Sequence, residues 1–197
     1  FPFSALELKL IDPLTTINIA FYTLGCRLNQ YDTEAMKAAL PKNINCVVVP
    51  WNSKADIYIL NSCTVTGKAD QKARQIARRI KKDNPDAKVI VTGCYAQTQP
   101  EILSKVTEID GIYGISEREN ISDWLPSVIK STSQIVRVDS FPRKMRFNSE
   151  SITDFEGKTR AFVKIQDGCN LRCTYCLIWK ARGPARSRPI DDIIKQI

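Results

Sequence analysis

Short apolar runs recur through the first part of this chain at residues 17–24, 45–49, 56–60, 88–92 and 112–114. They are rich in Val, Ile and Tyr and show no polar alternation, as expected of strands buried on both faces. Stretches of helical period separate them at about 32–40, 69–82 and 99–106. In the longest, Ala69, Ala73, Ile76, Ala77 and Ile80 fall on one face, and Pro85 lies just past its end. Strands alternating with helices build a parallel sheet with helices packed on it. Residues 1–125 are therefore expected to form an open, parallel-sheet α/β domain.

That expectation gives three cysteines a common address. Cys26, Cys63 and Cys94 each lie just past the end of an expected strand. In an open parallel sheet the carboxyl ends of the strands form one rim, and ligands bind in the crevice there. Three thiolates at one rim suit an iron–sulfur cluster that keeps one iron open. Gly25 and Gly93, each before a cysteine, fit a tight turn or a close backbone approach. The plainer alternative is three small buried apolar side chains. Cys46 illustrates it: it falls at the start of its run, points to the opposite end, and reads as structural.

A second set is local. Cys169, Cys173 and Cys176 sit within eight residues at C-x3-C-x2-C spacing. Three thiolates on one loop can hold three corners of an iron–sulfur cube. Zinc is the alternative, but a closed site needs four ligands. The chain has no histidine, so a distant cysteine would have to complete it. A disulfide framework fits poorly with seven cysteines, an odd number, in 197 residues, a length that can bury a core unaided.

Charge points to an anionic partner. The chain holds 29 Lys/Arg against 21 Asp/Glu, a net of +8. Residues 155–197 alone carry nine Lys/Arg and four Asp/Glu. Nucleic acid is the first candidate for such a surface, and a solvated basic face is the bland one. Along the 69–82 helix, Lys68, Lys72, Arg74, Arg78, Arg79, Lys81 and Lys82 could position RNA through phosphates, although a solvated face accounts for most of them. No run of about 18 apolar residues marks a membrane span, and no secretion signal opens the chain, so a cytoplasmic setting with no membrane is expected.

Residues 126–159 are polar and punctuated by Pro126 and Pro142, so they read as a linker, with a short strand near 135–138 and cations Arg143, Lys144 and Arg146. Residues 160–197 follow as a strand at 160–165, the cysteine loop, and a helix opened by Pro189, Asp191 and Asp192. Strand, functional loop and helix make the first unit of a β/α barrel, which needs about 200 residues or more. The chain is thus expected to be truncated, and inactive alone.

The C-x3-C-x2-C loop with Tyr175 before its last cysteine resembles the radical S-adenosylmethionine enzymes. The flanking residues 164–170, Ala181-Arg182-Gly183 and Arg186-Ser187-Arg188 resemble the methylthiotransferases among them. So do residues 23–34, 61–66 and 91–97, most like the branch that acts on N6-threonylcarbamoyladenosine in tRNA. The resemblance implies two [4Fe-4S] clusters, one on Cys26, Cys63 and Cys94 and one on Cys169, Cys173 and Cys176. It implies S-adenosylmethionine on the second cluster's open iron, with Tyr175 at the cofactor. Asn29 and Glu34 are expected to shape the first site; a helix-start carboxylate is the alternative for Glu34. The implied partners are the tRNA anticodon stem-loop and an electron donor such as a flavodoxin. Sibling branches act on isopentenyladenosine in tRNA or on a ribosomal-protein aspartate. A non-catalytic, metal-stabilised RNA-binding module is the reading from another class. One departure stands out: Trp179 occupies the place of a usual proline.

Overall fold

The structure, a computed structural model, describes residues 15–64, 67–141, 147, 152 and 162–197. Pro142, Arg143, Lys144 and Arg146, and residues 160 and 161 of the expected strand, lie outside the described residues.

The apolar runs become strands: β1 (Ile17–Thr23), β2 (Cys46–Val49), β3 (Ile57–Ser62), β4 (Lys88–Gly93) and β5 (Gly111–Tyr113). The helices between them are α1 (Arg27–Ala38), α2 (Gly67–Asp83), α3 (Cys94–Thr98) and α4 (Pro100–Leu103). A 3-10 turn at Ile115–Asn120 leads into α5 (Ile121–Lys130), and β6 (Ile135–Arg137) follows. The six strands pair in the order β2-β1-β3-β4-β5-β6, all parallel.

Alternate side chains of each central strand enter opposite cores. Tyr58, Leu60, Val89 and Val91 pack with Ala73, Ala77 and Ile80 of α2. Ile57, Ile59 and Ile90 pack with Met36 of α1 and with Ile121, Trp124, Leu125 and Val128 of α5. Burying each such aliphatic side chain contributes about 1.5–3 kcal/mol. The two covered faces explain the absence of polar alternation in the sequence.

The first domain runs further than expected. The linker was to begin at residue 126, yet Pro126 lies inside α5 and is buried with Trp124, Leu125 and Val128. Proline inside a helix costs about 3 kcal/mol; Trp124, fully buried and stacked on Tyr113 at 4.0 Å, shows the packing that offsets it. β6 then extends the sheet beside β5.

The barrel opening also differs. Within the described residues, 162–165 form no strand. A two-residue strand, β7 (Gln166–Asp167), pairs antiparallel with β8 (Arg186–Ser187). Between them lie the cysteine loop and α6 (Ile178–Arg182), and α7 (Ile190–Gln196) follows. No parallel barrel unit is formed among the described residues.

Candidate metal centre

β1, β3 and β4 are adjacent in the sheet, so their carboxyl ends stand side by side, about 4.8 Å apart from strand to strand. Cys26 is the N-cap residue of α1, shortly after β1. Cys63 directly follows β3, and Cys94 directly follows β4 as the first residue of α3. The order β2-β1-β3 reverses direction between β1 and β3, which is where doubly wound sheets open a ligand crevice. Cys26 and Cys63 flank that switch point. Cys46 pairs with Ile17 at the opposite end, as expected of a structural residue.

Gly25 shows how closely the strand ends approach. Its φ is +114°, and a Cβ there would lie 2.6 Å from Cys63 Cβ and 3.0 Å from Cys63 Sγ. At Gly93, where φ is +92°, an added Cβ would collide with the Ser62 carbonyl. Both positions require glycine. Cys63 and Cys94 are buried, while Cys26 is exposed at the mouth. Burial pushes the Cys94 thiol up; Arg182 and Arg118 pull it down, and Cys63 and Cys26 push it up again.

Asn29 fastens the three strand ends. Fully buried, it donates from Nδ2 to the Leu24 carbonyl at 2.9 Å and the Ser62 carbonyl at 3.1 Å. Its Oδ1 lies 4.0 Å from Cys94 Sγ and accepts from Arg182 Nη2 at 2.6 Å. Glu34 pairs with Lys37 at 3.1 Å and lies beyond the first turn of α1, so it is not a helix-start carboxylate.

The second set sits on a loop tied at its base. The Cys169 N–H donates to the Gly183 carbonyl at 3.0 Å, Asn170 Oδ1 accepts from the Ala185 N–H at 3.0 Å, and a turn joins the Cys176 N–H to the Cys173 carbonyl at 3.1 Å. Cys169, Cys173 and Cys176 are half-buried. Tyr175 is 90% exposed. Trp179 falls in the first turn of α6, a place that accepts proline as readily, and Arg172 and Lys180 lie over its ring at 5.6 and 5.2 Å. The substitution thus leaves the helix start intact.

A buried ionic cluster joins the two sets, and sequence reasoning missed it. Asp32 pairs with Arg118, with Lys164 at 3.0 Å and with Arg182 at 2.8 Å. Asp167 pairs with Lys164 at 2.8 Å, Arg182 at 2.9 Å and Arg186 at 3.4 Å. Burial alone would raise both carboxyls, but Arg118, Lys164 and Arg182 outweigh it and hold them below the usual carboxylate range. A signal existed: Asn29, Asp32, Thr33 and Met36 share the buried face of α1 at i, i+3, i+4, i+7 spacing. Polar residues on an apolar stripe call for buried partners.

Among the described residues no group of three or more His, Cys, Asp or Glu stands as a ready site for a metal ion. A cube differs from a single ion in that each thiolate binds a different iron, so its ligands need not converge on one point. The donor set fits that demand: three thiols on adjacent strand ends, with the Arg118 and Arg182 cations opposing the rise that burial gives the Cys94 thiol.

Residues 18–114 match the model of uncharacterized protein family UPF0004. The chain is 38% identical over 178 residues to the threonylcarbamoyladenosine tRNA methylthiotransferase MtaB of Bacillus subtilis, covering 90% of this chain and 39% of that protein. Its likeness to MtaB of Aquifex aeolicus is 38% over 182 residues, 92% of this chain and 44% of the relative. The chain belongs to the methylthiotransferase family. It is also 37% identical over 179 residues to the tRNA-2-methylthio-N(6)-dimethylallyladenosine synthase of Thermodesulfovibrio yellowstonii, 89% of this chain and 40% of that protein. The chain spans about two fifths of the length of these methylthiotransferases. Cys26, Cys63 and Cys94, with strands β2 to β5, fall inside the matched residues 18–114.

Proposed function

We propose that the chain is the amino-terminal part of a radical S-adenosylmethionine methylthiotransferase that adds a methylthio group to carbon 2 of N6-threonylcarbamoyladenosine beside the tRNA anticodon. The observation that carries the reading is the gathering of Cys26, Cys63 and Cys94 on three adjacent strand ends, against the helix that follows the C-x3-C-x2-C loop.

In this reading Cys26, Cys63 and Cys94 hold an auxiliary [4Fe-4S] cluster, and Cys169, Cys173 and Cys176 hold the cluster that binds S-adenosylmethionine. When bound, the second supplies a 5′-deoxyadenosyl radical, and the first supplies the sulfur that is transferred. The chain's own residues set the scene for that chemistry. Asn29 keeps the strand ends together through the Leu24 and Ser62 carbonyls. Burial of Cys63 and Cys94 shields one side of the site from water. On α2, exposed Lys68, Lys72, Arg78, Arg79 and Lys82 offer phosphate contacts that position RNA without reading its sequence. Partner identities follow the same reading: the tRNA anticodon stem-loop, and a flavodoxin-like electron donor in the cytoplasm. Among the described residues no helix is long and apolar enough to cross a membrane.

Nucleoside mass spectrometry of tRNA from cells lacking the full-length gene tests the proposal. The expected result is loss of the 2-methylthio form, with the threonylcarbamoyl precursor accumulating. The similar identity to the dimethylallyladenosine enzyme supports one second reading. Loss of the 2-methylthio isopentenyladenosine species instead would establish that sibling. Intact tRNA modification with stoichiometric zinc in the protein would establish a non-catalytic RNA-binding module.

A further inference from the structure

The ionic cluster between the two cysteine sets does more than bury charge. Its members neighbour the cysteines in sequence from both sides. Asn29 and Asp32 follow Cys26 by three and six residues; Asp167 precedes Cys169 by two; Arg182 follows Cys176 by six. Arg182 bridges the two groups. Its guanidinium donates from Nη1 to Asp167 Oδ1 at 2.9 Å, and from Nη2 to Asn29 Oδ1 at 2.6 Å and Asp32 Oδ2 at 2.8 Å. Asn29 Oδ1 in turn lies 4.0 Å from Cys94 Sγ. One side chain therefore spans from the base of the second cysteine loop to the wall of the first site. Cys94 and Ala181, the residue before Arg182, pack in one small apolar cluster with Ile115 and Phe141.

A buried ion network is a poor device for stability alone, because well-packed apolar residues serve as well or better. It is a good device for geometry. A guanidinium presents donors in a rigid fork, so three fixed acceptors define its place. Arg182 is itself 3% exposed and has nowhere else to go.

We propose that Arg182 is a positioning residue that fixes the separation of the two metal sites, by locking the C-x3-C-x2-C loop to Asn29 and Asp32 beside Cys94. The inference rests on the functional reading above, since it needs a centre on each cysteine set. Lysine at position 182 keeps the charge but loses the fork. Asparagine at position 32 keeps the shape but loses the charge that Arg182 meets.

The test uses full-length protein reconstituted anaerobically with iron and sulfide, as wild type, Arg182→Lys and Asp32→Asn. Three quantities are read: iron per chain, the magnetic dipolar coupling between the two reduced centres, and the ratio of 5′-deoxyadenosine released to methylthio product formed. Wild type should show two coupled centres. The variants keep Cys26, Cys63, Cys94, Cys169, Cys173 and Cys176 and should keep their iron. Their coupling should become weaker and more dispersed, and the ratio should rise on the order of tenfold or more, as expected when reacting groups are misplaced by about an ångström. A global folding defect would lower both products together and leave the ratio alone. Unchanged coupling and ratio in both variants would overturn the proposal, as would loss of iron from both. Wild-type protein without two iron centres would overturn the functional reading itself, a failure visible before any variant is compared.

Discussion

The two cysteine sets are built by opposite means. Cys169, Cys173 and Cys176 are neighbours in sequence, on a half-buried loop pinned at Gly183 and Ala185. Cys26, Cys63 and Cys94 are far apart in sequence and become neighbours only because β1, β3 and β4 are adjacent strands of a parallel sheet. The first set thus depends on long-range order, and the second on a turn and its anchor. Strands pinned by two cores fix the first set tightly, while the second takes its place from Arg182, Asp167 and Lys164.

The largest expected break in that comparison comes from the anchor. Asp32→Ala leaves Arg118, Lys164 and Arg182 without one of their two buried carboxylates. Removing one partner of a buried ion pair costs about 3–5 kcal/mol. Urea denaturation should show that loss, and hydrogen exchange should show residues 162–188 opening before the sheet. Gly25→Ala acts on the other set. A side chain at φ +114° strains the backbone by about 1–3 kcal/mol, and its Cβ would press on Cys63. Iron bound by the first set should fall while the second set keeps its own, as separate spectroscopic signatures would report.

A smaller and graded effect follows acid. Asp32 and Asp167 have folded pKa values held down by their cations. Their stabilisation is complete above the unfolded carboxylate value of about 3.9 and fades as pH falls from there toward the lower folded values. Docking of the second loop, followed by hydrogen exchange, should therefore persist at pH 5 and weaken only below about pH 4. Smallest of all is Arg79→Ala on α2. Arg79 is 82% exposed and pairs with Asp83 at 3.5 Å. Such pairs contribute about 0–1 kcal/mol, so the urea midpoint should barely move, while tRNA binding should weaken alike for all sequences and its salt slope should fall by about one.

Much of the sheet was legible because unalternated apolar runs have few other fates. β1, β2, β4 and β5 fall within a residue or two of expectation, and β3 runs two residues further, to Ser62. The order of the strands was not legible, since periodicity carries no information about neighbours. The rim shared by three cysteines followed from parallel strands alone; their adjacency needed the topology. α5 was hidden by Pro126, which reads locally as a terminator but is held by Trp124, Leu125 and Val128 in the core. The ionic cluster was hidden for a similar reason. Its members are spread from Asp32 to Arg186, and only Asp32 and Asn29 on the buried stripe of α1 betrayed a need for partners. Of the strand expected at 160–165, the described residues 162–165 form none, and the short strand lies at Gln166–Asp167, where Asp167 enters that cluster.

Iron analysis of full-length protein carrying either set of three cysteines replaced by alanine tests the account most directly. Anaerobically reconstituted wild type should bind about eight irons per chain, and each triple variant about four, from the one [4Fe-4S] cluster it retains. A variant lacking Cys26, Cys63 and Cys94 that still bound the full wild-type complement would contradict the claim that three strand ends build a metal site.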